Sequence, residues 1–398
     1  MTETFGGNFT QQSPIDEEAI EAGVRVLRSG RLHRYNLAPG EIGEVGLLEE
    51  EFAAYIGSNY CLAVASGGYA IATALRAVGV VPGERVLTNA FTLAPVPGAI
   101  ASVGAVPVML GVTQDLTLDL ADFERAALTG AFRTLLLSHM RGHICDMDRL
   151  MEIAECHNIR VVEDCAHTMG ASWKGVKSGR HGVVACYSTQ TYKHINSGEG
   201  GLLTTDDPEV AARSILLSGS YMLYERHSAA PDASVFEGLK FETPNISGRM
   251  DHLRAAILRP QLADIDRACA AWNARYRVVE DGLRGVAGLS VIERANSENY
   301  VGSSIQFQLM DWAADKISAV VSGCLDRGVE LKWFGAPEPK GFTSTHQHWH
   351  YAESREIPET DRILAGLMDM RLPLTFSLED CALIARIIAD EVRRVSKL

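Results

Sequence analysis

The feature that most constrains the fold is an alternation of short apolar runs and helical segments between residues 60 and 205. Seven runs have the length and composition of buried strands: 61–65, 85–88, 106–110, 134–138, 160–163, 183–187 and 201–204. Helical patterns separate many of them, notably at 68–78 and 147–157. Such alternation predicts an α/β fold with a mostly parallel sheet covered on both faces. Ligands of these sheets bind beyond the carboxyl ends of the strands.

The pattern changes near residue 251. A long helical pattern runs from 251 through Pro260 to about 280, and it is followed by strands near 289–292 and 304–309 and by helices at 313–327 and 378–395. A chain of 398 residues exceeds the size at which a single core stops growing. We therefore predict a large α/β domain with its N-terminal segment over residues 1–250, and a bridging helix with a smaller α+β domain over residues 251–398.

Composition excludes several classes of partner. The net charge of -13 argues against a duplex nucleic-acid partner, which requires a concentrated basic face. Residues 89–114 carry no charge, but prolines and glycines divide them into a short helix and a buried strand, so we predict no membrane span. The polar N-terminus has no secretory pattern and the eight cysteines form no CxxC pair, which predicts a cytoplasmic protein with reduced thiols.

Two residues near predicted strand ends are candidates for catalysis. Asp164 follows the run 160–163 at the ligand-binding edge, although an isolated strand-end aspartate is usually a turn cap. Lys193 lies in a loop between two core strands, where desolvation would make its amine a nucleophile toward an aldehyde. The carboxylate of Asp164 could keep a pyridine nitrogen protonated beside that lysine. The pair therefore indicates chemistry on an aldehyde cofactor.

A phosphate site is predicted at the start of the helix over 68–78. Ser66, Gly67 and Gly68 precede or open that helix, and Ser188 follows another strand. Backbone amides at a helix start bind phosphate without a dedicated basic side chain. The glycines alone would also fit an ordinary strand-to-helix turn.

Five segments, in their order and spacing, resemble the DegT, DnrJ, EryC and StrS family of aminotransferases that make amino sugars. They are ASGGYAIATAL, NAFTLAPVPGAI, VVEDCAHTMGASWKG, CYSTQTYKHINSGEGG and GRMDHLRAAILRPQL. The resemblance implies a pyridoxal-phosphate-dependent transferase of fold type I that forms a homodimer with shared active sites. It also implies a ping-pong transamination through pyridoxamine phosphate. The amino donor would be L-glutamate, and the acceptor a keto sugar or a related small acidic or phosphorylated keto compound.

The resemblance also assigns roles to residues. Lys193 would carry the cofactor as a Schiff base, Asp164 would bind its pyridine nitrogen, and His167 would contact its ring. The cofactor phosphate would be held by Ser66, Gly67, Gly68 and Ser188, and in the second subunit by Asn245 and Arg249. Gly68 stands where many relatives have a hydroxyl residue. Leu93 replaces an aromatic side chain that stacks on the cofactor, and Phe91 is expected to compensate.

The substrate side is predicted from basic and aromatic residues. A basic pocket for an acidic or phosphorylated substrate would consist of Arg31, His33, Arg34, Arg141 and His143, unless these are solvated loop charges. Trp333 and His346 are expected to pack beside the substrate. His346 alternates with His348 and His350, but zinc would need a fourth ligand, so we predict no metal site.

Two alternatives remain at this point. Some relatives have histidine in place of the Schiff-base lysine and act as dehydratases, so a dehydratase or lyase of the same fold is one of them. A ligand sensor without catalysis is the other. The presence of Lys193 together with Asp164 favours the aminotransferase.

Overall fold

The computed structural model describes residues 3–397. Its strands are β1 Tyr60–Val64, β2 Arg85–Asn89, β3 Val106–Leu110, β4 Thr134–Ser138, β5 Arg160–Asp164, β6 Ser172–Trp173, β7 Val176–Lys177, β8 Val184–Ser188, β9 Gly201–Thr205, β10 Ser290–Val291, β11 Glu298–Asn299, β12 Ser304–Gln308, β13 Lys332–Trp333 and β14 Leu367–Arg371. Its helices are α1 Glu17–Ser29, α2 Glu44–Ile56, α3 Gly67–Ala77, α4 Pro95–Ser102, α5 Leu120–Leu128, α6 Met147–Cys156, α7 Pro208–Leu217, α8 Ala233–Glu237, α9 His252–Ala263, α10 Ile265–Leu283, α11 Ala314–Asp326, α12 Pro358–Ala365 and α13 Leu378–Ser396.

The large domain is built on a seven-stranded sheet in the order β1-β9-β8-β5-β4-β2-β3. The parallel ladders join β8, β5, β4, β2 and β3, whereas β9 runs antiparallel to both β8 and β1. Neighbouring residues of β4 belong to different apolar clusters: Leu135 and Leu137 lie in one, and Leu136 lies in the other. Both faces of the sheet are therefore buried, and the predicted α/β class with a mostly parallel sheet is confirmed.

The long helix predicted from residue 251 to about 280 is wrong in one respect, because it is two helices. The helix α9 contains Pro260 and ends at Ala263, and α10 begins at Ile265. Between them, the N–H group of Asp264 donates to the carbonyl of Gln261, three residues back. Pro260 supplies no N–H group to the last turn of α9, which weakens the helix just before this break.

The small domain is a four-stranded antiparallel sheet in the order β10-β12-β14-β13, packed with α11 and α13. The N-terminal segment packs here, since Phe5 and Phe9 both contact the ring of Phe376, each at 4.9 Å between centroids. The proposed division of the chain into two domains at residue 250 stays a prediction. The N-terminal segment, which that division assigns to the large domain, packs against the small domain. Among residues 3–397, no helix combines the length and the apolar character needed to cross a membrane.

Candidate active site

Asp164 lies at the carboxyl end of β5, in the centre of the sheet. Its Oδ2 accepts a hydrogen bond from the Ser138 hydroxyl at 3.1 Å, and its Oδ1 accepts one from the Ala166 N–H group at 3.2 Å. Burial raises the pKa of this carboxyl group, and the positive charge of Lys193 opposes that rise. A buried carboxylate whose pKa is raised in this way is stabilised in its charged form by a nearby cation.

Ser138 was not predicted as a site residue. It ends β4 directly beside Asp164, and Asn89 and Thr92 hold it in place. The Ser138 N–H group donates to Asn89 Oδ1 at 2.9 Å, and the Thr92 hydroxyl donates to Ser138 Oγ at 2.7 Å. The rule that parallel strands end at the same edge of the sheet was the signal that could have found it.

Lys193 reaches the same edge from the loop between β8 and β9. Its N–H group donates to the Gln190 carbonyl, and the buried Ile195 anchors the loop to the core. The Lys193 Nζ atom lies 2.8 Å from His167 Nε2. Burial, together with the positive charge of Arg141, lowers the pKa of Lys193 to about 7, although Asp164 acts in the opposite direction. About half of these amines are therefore neutral at pH 7.

His167 is buried beside Lys193. Burial and the charge of Lys193 hold the pKa of its imidazole well below the ordinary histidine value. The ring is therefore neutral at physiological pH. Such a ring can face a cofactor and donate or accept one hydrogen bond without adding charge.

The predicted phosphate corner lies at the start of α3. Ser66 is the N-cap residue, and its hydroxyl accepts from the Tyr69 N–H group at 3.1 Å. A Cβ atom on Gly67 would lie 2.8 Å from the Ser188 Cβ atom, so this close approach requires glycine. The first N–H groups of a helix have no partner within it. The structure therefore brings Ser66, Gly67 and Ser188 together, whereas a Cβ atom on Gly68 would lie 3.9 Å from the Pro95 Cβ atom, at an ordinary contact distance.

These residues fit pyridoxal phosphate. The buried carboxylate of Asp164 suits a pyridinium nitrogen, the amine of Lys193 suits an aldehyde carbon, and the helix start suits a phosphate. All three stand at the carboxyl edge of one sheet, formed by the ends of β1, β5 and β8. Three chemically distinct groups of one cofactor thus meet three matching environments.

A buried and heavily hydrogen-bonded carboxylate supports the strand that carries Asp164. In the preceding residue, Glu163, the Oε2 atom lies 3.0 Å from His139 Nε2. Its carboxylate accepts hydrogen bonds from the backbone N–H groups of Gly179, His181 and Gly182. Burial alone would raise its pKa, but the hydrogen bond and charge of His139 reduce it to about 2. Cys165 lies close enough to complete a set of three metal-type ligands, yet the carboxylate of Glu163 is already occupied by protein donors.

The predicted basic pocket does not form as a unit. Arg34 makes a buried two-point ion pair with Glu49, with both distances at 2.6 Å, and Arg31 pairs with Glu41 at the surface. The prediction is wrong for Arg34, because the buried carboxylate of Glu49 neutralises it, whereas the predicted role of the exposed Arg31 stays a prediction. His33 is largely exposed, and its imidazole is near the charge of Arg249 rather than that of Lys193.

Arg141 and His143 do lie near the site, but in different roles. Arg141 is buried and its charge acts on both Lys193 and His167. His143 is buried too, and its Nε2 atom is 2.8 Å from Gln306 Oε1. The prediction of His143 as a substrate contact is wrong, since its ring is enclosed by the protein.

Three aromatic side chains that were predicted to contact the cofactor or the substrate have partners within the protein. Phe91 is 1% exposed and packs edge-to-face on Phe334, so the expectation that it stacks on the cofactor is wrong. Trp333 donates its indole N–H group to the Ala365 carbonyl at 2.7 Å. His346 Nε2 lies 2.6 Å from Asp361 Oδ1, and its predicted contact with the substrate stays a prediction.

The alternating histidines do not converge on one point. His346 and His348 lie in a 3-10 helix rather than a strand, and His348 Nδ1 accepts from the Thr345 N–H group. His350 is exposed. The run therefore lacks the strand geometry on which the zinc alternative depended.

Arg249 and Asn245 lie on a partly exposed segment between α8 and α9. The Arg249 guanidinium donates to the Gly219 carbonyl at 2.7 Å and lies 5.2 Å from the centre of the Tyr221 ring. Asn245 is exposed. The backbone of Arg249 pairs with Val64, two residues before Ser66, but its guanidinium is bound at Gly219. The predicted role of Arg249 and Asn245 in a second subunit stays a prediction.

The fold and this donor set define a pyridoxal-phosphate-dependent transferase of fold type I. A sequence model of the DegT/DnrJ/EryC1/StrS aminotransferase family matches residues 14–389. The chain belongs to this family and is a pyridoxal-phosphate-dependent transaminase.

Relatives of known name agree with that assignment. The chain is 30% identical over 389 residues to a putative L-glutamine:3-amino-2,3-dideoxy-scyllo-inosose aminotransferase of Streptoalloteichus tenebrarius, covering 93% of the chain and 88% of that relative. It is 36% identical over 275 residues to the dTDP-3-amino-3,4,6-trideoxy-alpha-D-glucose transaminase of Streptomyces venezuelae, covering 68% of the chain but 66%, just under two thirds, of that relative. The crystal structure of 3-amino-5-hydroxybenzoic acid synthase superposes with a TM-score of 0.83 at 25% identity, over 97% of this chain and 99% of that one.

Proposed function

We propose that the protein transfers an amino group from L-glutamate or L-glutamine to the carbonyl of a keto sugar or keto-cyclitol. The observation that carries this proposal is the Lys193 amine, which lies 2.8 Å from His167 Nε2 and has a pKa lowered to about 7 by burial. The names of the two relatives, an amino-sugar transaminase and an inosose aminotransferase, support this class of acceptor.

Asp164 has the role of holding a proton on the pyridine nitrogen. When bound, the cofactor supplies an electron sink that stabilises negative charge at the substrate carbon. The Ser138 hydroxyl and the Ala166 N–H group fix both carboxylate oxygens of Asp164. The carboxylate therefore keeps its position while its charge stabilises the protonated nitrogen.

Lys193 has two roles. Its amine would hold the cofactor at the aldehyde carbon, and its Nζ atom would accept the proton from the α-carbon of the amino donor. A base with a pKa near the working pH is neutral often enough to accept this proton and acidic enough to return it. In the second half of the cycle the same atom moves a proton in the reverse direction, toward the acceptor.

His194 does not replace Lys193 as a base, which argues against the dehydratase alternative. Its ring packs edge-to-face on Trp272 at 5.2 Å, and its Nε2 atom lies 3.3 Å from the Ser303 hydroxyl. Burial, with the nearby charge of Lys193, lowers its pKa to about 3. A buried and weakly basic imidazole is a poor proton acceptor at neutral pH.

We further propose that the active protein is a homodimer in which Arg249 and Asn245 reach the cofactor phosphate of the second subunit. Large apolar side chains surround this segment and are exposed in the single chain: Phe241 is 82% exposed and Tyr221 is 59% exposed. Exposed apolar side chains close together are typical of protein interfaces. The proposed location is the cytoplasm, since the eight cysteines are free.

The test is the visible absorption spectrum of the protein loaded with pyridoxal phosphate. We expect a long-wavelength band that L-glutamate or L-glutamine bleaches, and that scyllo-inosose or another keto-cyclitol restores. Lys193→Ala should show no such band, whereas Lys240→Ala, at a lysine paired with Glu237 outside the site, should behave as the unsubstituted protein does. A band that neither amino acid alters would contradict amino transfer.

A further inference from the structure

Three positively charged side chains lie on the small-domain side of Lys193. Arg141 is in the loop after β4, Lys332 is on β13, and Arg371 ends β14. The charges of all three act on the Lys193 amine. The cofactor phosphate has its own place at the start of α3, so this second concentration of positive charge has no role in holding it.

The register of the small sheet puts two of these cations on one face. Lys332 is directly opposite Asp369 in the ladder between β13 and β14, and Arg371 follows Asp369 by two residues. Directly opposed residues, and residues two apart on one strand, share a face of a sheet. The alternate residues of β14, Met368 and Met370, are buried in the core. The polar face therefore carries Lys332, Asp369 and Arg371 together.

The carboxylate of Asp369 lies against Arg141 and Gln306, although the ion-pair contact of its Oδ2 atom with Arg141 has no hydrogen-bond geometry. Its Oδ2 atom lies 2.7 Å from Arg141 Nη2, and its Oδ1 atom accepts from Gln306 Nε2 at 2.8 Å. Within the part of the chain that is described, no carboxylate forms an ion pair with Lys332 or Arg371. The Lys332 Nζ atom is buried and has no hydrogen-bond partner among those residues.

Aromatic rings flank the two unpaired cations. The Arg371 guanidinium lies 3.5 Å from the centre of the Tyr192 ring, next to Lys193 in sequence. It lies 5.3 Å from the ring of Phe342, and the Lys332 Nζ atom lies 5.4 Å from the same ring. The rings fix the direction of the cations but do not neutralise them, because a cation–π contact leaves the full charge in place.

The backbone of Arg141 is also unusual. It has a φ of 55°, in the left-handed region that favours glycine. Such strain at a residue other than glycine persists where the surroundings require it, and it concentrates at functional sites. Here it directs a buried guanidinium toward Asp369 and the small domain.

We propose that Arg141, Lys332 and Arg371 form an anion subsite for a carboxylate or phosphate group of a substrate. Three cations against one carboxylate leave two positive charges, which matches such a group, and arginine suits its paired oxygens. The subsite rests on the proposed function, for which it names the side chains that bind an anionic group of one of the two substrates. The anion belongs either to the amino donor or to the acceptor.

Binding of inorganic phosphate tests the subsite directly. The protein is loaded with pyridoxamine phosphate, so that the cofactor fills its own phosphate site, and phosphate is titrated by calorimetry. Lys332→Gln and Arg371→Gln should each raise the Kd for phosphate about tenfold, the usual size of a lost charged hydrogen bond. Arg362→Gln, at a surface arginine paired with Asp311, is the matched control and should leave the Kd unchanged.

A second arm identifies the source of the anion. L-glutamate is titrated against the pyridoxal-phosphate form in single turnovers, with the same three variants. A tenfold higher Kd for glutamate in Lys332→Gln or Arg371→Gln identifies the donor carboxylate, whereas weaker phosphate binding alone identifies a group on the acceptor. Two results together would overturn the subsite. The first is that phosphate does not bind the unsubstituted protein measurably, or binds Lys332→Gln and Arg371→Gln with the same Kd; the second is that the Kd for glutamate is also the same in these variants.

The design separates the subsite from the proposed function and from misfolding. Phosphate binding is measured without turnover, so it reports on the subsite even if no keto-cyclitol is aminated. Thermal melting of each variant checks the fold. Arg141 is left intact because its removal would strand the buried charge of Asp369.

Discussion

The lowered pKa of Lys193 makes a quantitative prediction about how the cofactor attaches. Only the neutral amine attacks the aldehyde. With a pKa of about 7, about half of the Lys193 amines are neutral at pH 7. A lysine with the ordinary pKa of 10.5 would be neutral in only about three molecules in ten thousand at that pH. The structure thus accounts for an advantage of roughly a thousandfold in reactive amine.

The sign of the pH dependence follows from the cause of the shift. Burial and the charge of Arg141 disfavour the protonated amine, so protonation occurs only below about pH 7. The rate of attachment should fall tenfold per unit below that pH and should be flat above about pH 8. Stopped-flow absorbance on the cofactor-free protein mixed with pyridoxal phosphate, from pH 5.5 to 9.5, measures it.

Two variants control for other titrating groups. Arg371→Gln removes one of the charges that lower the pKa, so the break in the profile should move to higher pH. Lys193→Ala should show no attachment at any pH. A rate that still rises tenfold per unit between pH 8 and 9.5 in the unsubstituted protein would refute the argument.

Three further substitutions have expected outcomes. Glu163→Gln should lower the free energy of unfolding by about 3 kcal/mol in urea titrations at pH 7, because it removes a buried carboxylate charge that accepts hydrogen bonds from three backbone N–H groups. Since the folded pKa of Glu163 is lowered to about 2, that difference should shrink as the pH falls from 4.5 toward 2, and a constant difference would contradict it. Gly67→Ala should weaken cofactor binding at least about tenfold in absorbance titrations, because its Cβ atom would meet Ser188. Arg34→Gln should cost about 3 kcal/mol of stability by stranding Glu49 while leaving the attachment rate unchanged, and a slower rate would place it in the site after all.

Much of the large domain was predictable because its strands and helices follow simple periods. The direction of β9 was not predicted, yet the sequence contains a reason for it. No helix separates β8 from β9, and a parallel neighbour would need a crossover to return the chain to the other end of the sheet. A direct loop joins adjacent strands antiparallel. The strand β13 was missed because its two residues carry no pattern, and β14 was missed because Asp369 and Arg371 interrupt its apolar residues.

The core of the site was predictable for a different reason. Asp164 and Lys193 are placed by strand ends, and strand ends of a parallel sheet meet at one edge whatever the details of packing. Ser138 satisfies the same rule but was missed, because serine is common at strand ends and nothing local distinguishes one that supports a carboxylate. Lys332 and Arg371 could not be found this way, since their approach to Lys193 depends on how the small domain packs.

The basic residues show most clearly what a sequence leaves undecided. Arg34 and Arg141 both lie in predicted loops, and both are buried arginines beside an acid. Arg34 donates to both carboxylate oxygens of Glu49, whereas Arg141 shares the carboxylate of Asp369 with Gln306. The difference is one of charge balance. The charge of Arg34 is neutralised by Glu49, which pairs with no other cation among residues 3–397. Asp369, in contrast, lies on a face of the small sheet that also carries the unpaired cations Lys332 and Arg371. An arginine near an active site can bind an anionic substrate when the cations around it outnumber the carboxylates. That balance depends on ion pairs between residues far apart in the sequence.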